Sequence, residues 1–123
     1  MILGIGNDIV EIARIKAIMA RHPDRFLDLV FTSQEQEYCL KRKEPAMHFA
    51  GRFAAKEAIV KALGTGFSRG VNLTDFEIHP NAEGKPEVFL SPLASEIFGN
   101  PSLMVSISHC KTYATAVAIW VKN

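Results

Sequence analysis

The chain has 123 residues, with 14 Lys and Arg against 13 Asp and Glu for a formal charge of +1, and is 48% hydrophobic and 22% charged. That is the length of one domain, spanning 1–123, and a globular composition without the basic excess that nucleic-acid proteins carry to meet phosphate backbones. Its two cysteines, Cys39 and Cys110, form no CxxC or Cys/His spacing, which argues against structural zinc and a disulfide framework and fits a reducing cytoplasm.

The N-terminal residues Met1 to Asp8 show no basic segment ahead of the apolar ones, and no apolar run approaches a membrane span, so neither secretion nor membrane insertion is expected. Ile2 to Ile12 alternates weakly and puts Ile2, Gly4, Gly6, Asp8, Val10 and Ile12 on one face, predicting a strand loosened at its glycines. Ala13 to Arg21 has helical character and must stop near His22, because Pro23 disfavours helical geometry in the residue before it; a short second turn restarts at Pro23. Thr32-Ser33-Gln34-Glu35 has the capping-box pattern and opens a helix expected to run from Ser33 to Arg42.

Pro45 suits the first turn of the next helix, on which Phe49, Phe53, Val60 and Leu63 form one stripe and Gly64 is the C-cap. Beyond the loop Gly64 to Asn72, strands are predicted over Leu73–His79, Pro86–Leu90, Leu103–Ser108 and Tyr113–Val121, with hairpin-turn residues at Asn81–Gly84 and a short helix over Pro92–Phe98. Short connections favour antiparallel pairing, so the expected class is α+β, an antiparallel sheet packed against one long helix and shorter helices. No repeat with a period of 20 to 50 residues is evident.

Asp8 stands out because its same-face neighbours are apolar, and a buried carboxylate needs compensation. A strand-end Asp bonded to local amides or exposed at a kink accounts for it as well as a cation ligand does. Glu57 and Lys61 stand four residues apart on the flank of the long helix. That is the commonest helix salt-bridge spacing, and it is also a carboxylate for a divalent cation beside an ammonium for a phosphate.

Val105-Ser106-Ile107-Ser108-His109-Cys110-Lys111 ends a strand with hydroxyl, imidazole and ammonium groups that suit phosphate oxygens. Adjacent strand residues point to opposite faces, which disfavours Ser108 and His109 as a nucleophile and base. The glycine-rich loop from Gly64 to Gly70 lacks P-loop spacing and follows a helix, and Gly4-x-Gly6 is too short for a dinucleotide fingerprint. Arg14, Arg21 and Arg25, at spacings of 7 and 4, make a basic ridge if the helical pattern survives Pro23; it is a solvated face or the dock for an acidic protein. Lys41-Arg42-Lys43 is a second basic cluster.

Gly4-Ile5-Gly6-Asn7-Asp8-Ile9-Val10-Glu11-Ile12, the stretch Gly51 to Gly66 containing Phe53-Ala54-Ala55-Lys56-Glu57-Ala58-Ile59-Val60-Lys61, and Ser106-Ile107-Ser108-His109 together resemble the bacterial holo-(acyl-carrier-protein) synthase family over essentially the whole chain. The resemblance implies transfer of 4'-phosphopantetheine from coenzyme A to a serine of an acyl carrier protein, in fatty acid biosynthesis. It also implies magnesium held by Asp8 and Glu57, and Lys61 neutralising phosphate. Arg42, Arg52, Gly64, Ser108 and His109 would then help bind coenzyme A, with Arg42, Arg52 and His109 on its 3'-phosphate side. Family members are homotrimers with sites between subunits, and the Arg14-Arg21-Arg25 ridge would dock the carrier protein. Two rival functions are considered. The broader phosphopantetheinyl transferases are typically pseudo-dimers of twice this length, and a coenzyme A or nucleotide-binding regulatory module would use Asp8 and Glu57 structurally.

Overall fold

The computed structural model describes residues 1–64 and 69–122. In chain order they form β1 (Ile2–Glu11), α1 (Ile12–Arg21), α2 (Pro23–Val30), α3 (Ser33–Leu40), α4 (Pro45–Leu63), a 3-10 turn (Leu73–Asp75), β2 (Phe76–Pro80), β3 (Pro86–Leu90), α5 (Pro92–Phe98), β4 (Ser102–His109) and β5 (Tyr113–Val121). The class is α+β with antiparallel pairing, as the pattern predicts. The strands divide between two sheets, β1-β5-β4 and the hairpin β2-β3. No helix among the described residues is long and apolar enough to cross a membrane.

Local chemistry explains most boundaries. His22 adopts φ −140° and ψ 64°, which ends α1, and Pro23 then occupies the first turn of a full eight-residue α2 rather than a single turn. Arg25 therefore sits on a different helix from Arg14 and Arg21, and the predicted ridge is not one helix face. The capping box is present in both directions. Glu35 N–H donates to Thr32 Oγ1 at 3.2 Å, and Thr32 N–H donates to Glu35 Oε1 at 2.9 Å. The helix it opens ends at Leu40, two residues short of the expected Arg42. The strand predicted from Leu73 starts only at Phe76, because Asp75 Oδ2 accepts from Asn72 N–H at 2.7 Å and tightens the intervening residues into a turn.

The long helix departs most from its predicted stripe. Phe49 and Leu63 are buried, but Phe53 and Val60 are only partly so, while Ala50, Ala54, Ala58 and Ala62, at spacing four, are buried in a row. Methyl side chains let the helix backbone come close, and β1 answers with glycine. A Cβ at Gly4 would collide with the Ala62 carbonyl oxygen, and one at Gly6 with that of Ala58. The β1–β5 register shifts between Ile2 and Gly4, as a strand loosened at its first glycine would, and then pairs regularly to Glu11; the two glycines are also where α4 lies against the strand.

Two further features matter below. Lys56 and Glu35 are wholly buried and paired at 2.6 Å, tying α4 to α3. The face of the three-stranded sheet turned away from α4 is open and mixed, with Ile5 68%, Ile9 65% and Met104 54% exposed beside Val117 and Tyr113, among the polar Asn7, Ser106, Ser108 and Thr115.

Candidate active site

The close seating of α4 on β1 places the chemistry. Asp8 follows Gly4 and Gly6 on the strand face toward the helix, and Glu57 and Lys61 lie on the flank of α4 beside it. The Lys61 ammonium turns to β1 rather than to Glu57. It donates to Asp8 Oδ1 at 3.1 Å and to the Asn7 carbonyl at 3.0 Å, so the helix-pair reading of Glu57 and Lys61 gives way to a strand-to-helix contact. Thr115 Oγ1 on β5 donates to the Asp8 carbonyl at 2.9 Å and steadies the strand there.

Glu57 is thereby left facing a like charge. Burial and the Asp8 carboxylate push its pKa up, and the Lys61 ammonium pulls it part of the way back. Asp8 and Glu57 line one cavity of about 380 Å³ together with Arg14, Phe53 and Tyr113. Two oxygen donors with no thiolate or imidazole among them suit a hard cation such as magnesium, which takes one or two carboxylates and fills its remaining positions with phosphate and water. No cluster of three or more His, Cys, Asp or Glu residues suited to a metal occurs among the described residues.

A second group gathers on another flank of α4. Arg52 and His109 line a cavity of about 180 Å³ with Tyr38, His48, Gly51 and Ile107. Arg52 is nearly buried, and its Nε donates to the Ile78 carbonyl at 3.3 Å. Tyr38 collects both guanidinium groups. Arg42 lies 3.9 Å and Arg52 4.4 Å from its ring centroid.

Ser108 does not join this group. It pairs opposite Thr115 on the outer sheet face, while His109, opposite Ala114, turns inward to the cleft, as strand alternation requires. Gly64 caps α4 at φ 80°, its N–H donating to the Val60 carbonyl at 3.0 Å. The rest of the glycine-rich loop, 65–68, lies outside the described residues. Sequence patterns do not single out Tyr38 or His48, and they mark Glu35 only as a capping residue. Tyr38 stands four residues before Arg42, which lies just past the end of α3, and that spacing is the signal the sequence offers.

The carboxylates of Asp8, Glu11 and Glu57 thus line one cavity where a long helix is seated against a Gly-x-Gly-x-Asp strand, and the Lys61 ammonium is bonded to Asp8 beside it. Residues 4–118 match the model of the 4'-phosphopantetheinyl transferase superfamily, to which the chain belongs. It is 61% identical over 120 residues to the holo-(acyl-carrier-protein) synthase of Protochlamydia amoebophila, covering 98% of each chain. The crystal structure of that enzyme from Neisseria meningitidis aligns with a TM-score of 0.91 at 33% identity, over 99% of this chain and 100% of the other. The Helicobacter pylori enzyme in complex with coenzyme A aligns at 0.85 and 35% identity, over 95% and 99%. Within the superfamily, the chain falls among the holo-(acyl-carrier-protein) synthases.

Proposed function

We propose that the chain transfers 4'-phosphopantetheine from coenzyme A to a serine hydroxyl of an apo acyl carrier protein and releases 3',5'-ADP. The Asp8 and Glu57 carboxylates lining one cavity, with the Lys61 ammonium bonded to Asp8, carry this reading, because like-charged carboxylates beside an ammonium are what a cation-bridged diphosphate requires. Asp8 and Glu57 are the residues to hold magnesium, which when bound supplies charge neutralisation at the diphosphate. Lys61 stabilises charge on the transferring phosphoryl group and the departing nucleotide. Glu57, directly or through a water held beside it, is placed to take the serine proton.

Arg42, Arg52 and His109 bind the 3'-phosphate end of coenzyme A. Arg52 and Glu57 are five residues apart on α4, about 140° around its axis at 3.6 residues per turn, so one chain presents the two groups on different sides. That supports sites shared between copies, and the exposed Ile5, Ile9 and Met104 on the outer sheet face support a homotrimer. Arg14 lines the Asp8–Glu57 cavity, so an acidic carrier helix resting on Arg14, Arg21 and Arg25 brings its serine to the reacting phosphate. One domain over 1–123 suffices for this chemistry, in a reducing cytoplasm in which Cys39 and Cys110 stay free.

The test is incubation with coenzyme A, magnesium and an apo carrier protein, read by mass spectrometry. The carrier gains one phosphopantetheine mass with wild type and none with Asp8→Ala or Glu57→Ala. A full mass gain with either variant refutes the site. Coenzyme A binding without any transfer by wild type points to a regulatory module instead.

A further inference from the structure

The cleft around Arg52 holds an imidazole that the reading above does not use. His48 lies near the start of α4, half-buried, with its ring edge-on to Tyr38 and to His109 at centroid separations of 6.3 Å each. The two imidazoles and the Arg52 guanidinium line the same cavity, and no carboxylate is among its lining residues.

The charged and titratable neighbours can be taken element by element. The segment following α3 brings Arg42, α3 itself brings Tyr38, α4 brings Arg52, and β4 brings His109. The residue preceding α4, Glu44, is the one acid that acts on His48. The turn joining β2 and β3 contributes Pro80, Gly84 and Pro86, none of them charged. Three groups that are or become cationic thus face His48 against one acid, and that is the electrostatics of an anion cleft waiting for its anion.

We propose that His48 is a further anion-binding residue of this cleft and takes up a proton as a phosphate monoester enters it. The inference rests on the reading of the cleft as the nucleotide end of the coenzyme A site. In the free protein, burial, Arg52, His109 and Arg42 all oppose a charge on His48 and lower its pKa. A dianion placed among the same groups reverses the balance, because it neutralises the cations and offers the imidazolium an acceptor. The proton comes from solvent, and its uptake makes the affinity for the phosphate rise as pH falls.

The experiment is isothermal titration of adenosine 3',5'-bisphosphate into the full chain in two buffers of different ionisation enthalpy, for wild type and His48→Gln, at about pH 6 and about pH 8.5. Loss of one charge-assisted hydrogen bond weakens the variant about ten-fold at the lower pH and under about two-fold at the higher. Its proton uptake falls relative to wild type. The imidazole resonances of wild type, followed by NMR with and without the bisphosphate, give a reading that does not depend on the variant folding; the His48 midpoint moves up on binding. Normal binding with unchanged proton uptake, or an unmoved His48 midpoint, overturns the proposal alone. Failure of wild type to bind the bisphosphate overturns the reading of the cleft and the proposal with it.

Discussion

Replacing Lys56 with Met removes the ammonium that α4 sends into the core. Its Nζ donates to Glu35 Oε1 at 2.6 Å, to the Val30 carbonyl at 2.7 Å and to the Leu73 carbonyl at 3.0 Å, all without solvent. The other side of Glu35 is already committed, its Oε2 accepting from Ile78 N–H at 2.8 Å. Without Lys56, a wholly buried carboxylate keeps its amide donors and loses its counter-charge, and two carbonyls lose a donor. Breaking such a pair from one side costs about 3–5 kcal/mol. For a chain of this size, that lowers the melting temperature by about 10–20 °C. Thermal unfolding followed by circular dichroism at neutral pH measures it. The double variant Lys56→Met with Glu35→Gln leaves no unpaired charge and recovers part of the loss. A fall below about 3 °C in Lys56→Met, or a double variant no better than the single, refutes the argument that charge compensation holds these elements together.

Glu57→Gln works in the opposite direction. Because burial and Asp8 raise the folded pKa of Glu57, the native state binds more protons than the unfolded chain between the two pKa values, so this group's contribution to stability falls as pH rises. In a chelating buffer at neutral pH the variant therefore melts above wild type, and the difference closes as pH falls below the ordinary glutamate value of 4.5. Adding magnesium raises the wild-type melting temperature more than the variant's; a variant less stable than wild type in chelator contradicts this. Gly6→Ala drives a methyl into the Ala58 carbonyl, Ala62 N and Lys61 Cβ and costs about 1–3 kcal/mol of overpacking. It also lifts α4 from Asp8, so carrier modification falls more than the loss of folded protein explains, as a comparison of initial rate with melting curve will show.

How much of this was legible depends on which interaction sets each element. Capping boxes, prolines and hairpin turns act within a few residues, and they marked α3, β3, α5 and β5 closely. The division into two sheets and the Leu73–Asp75 turn depend on contacts across the fold, and alternation could not show them. The alanine row of α4 was missed because large residues dominate a periodicity reading, although the small ones decide how near a helix can approach. Asp8, Glu57 and Lys61 were individually ambiguous, since each has an ordinary structural role at its spacing. The structure joins Lys61 to Asp8 across β1, at a distance that no local pattern encodes. Ser108 lies on the opposite sheet face from Ile107 and His109, as strand alternation requires.

The placing of two chemical groups on different sides of α4 has a consequence that activity measurements can decide. If each site draws Asp8 and Glu57 from one copy and Arg42, Arg52 and His109 from its neighbour, a head-to-tail ring uses every surface once. Glu57→Gln then spoils the first half of each site, and Arg42→Ala with His109→Ala spoils the second, both without touching the buried core. Each variant alone forms rings in which every site is damaged. Unfolded together and refolded as an equal mixture, the chains assemble at random, and about a quarter of the sites join two intact halves. Carrier modification by the mixture should therefore recover to about a quarter of the wild-type rate, although neither parent has appreciable activity. A mixture no more active than its parents, with mixed rings shown by native mass spectrometry, places both groups of a working site on one chain.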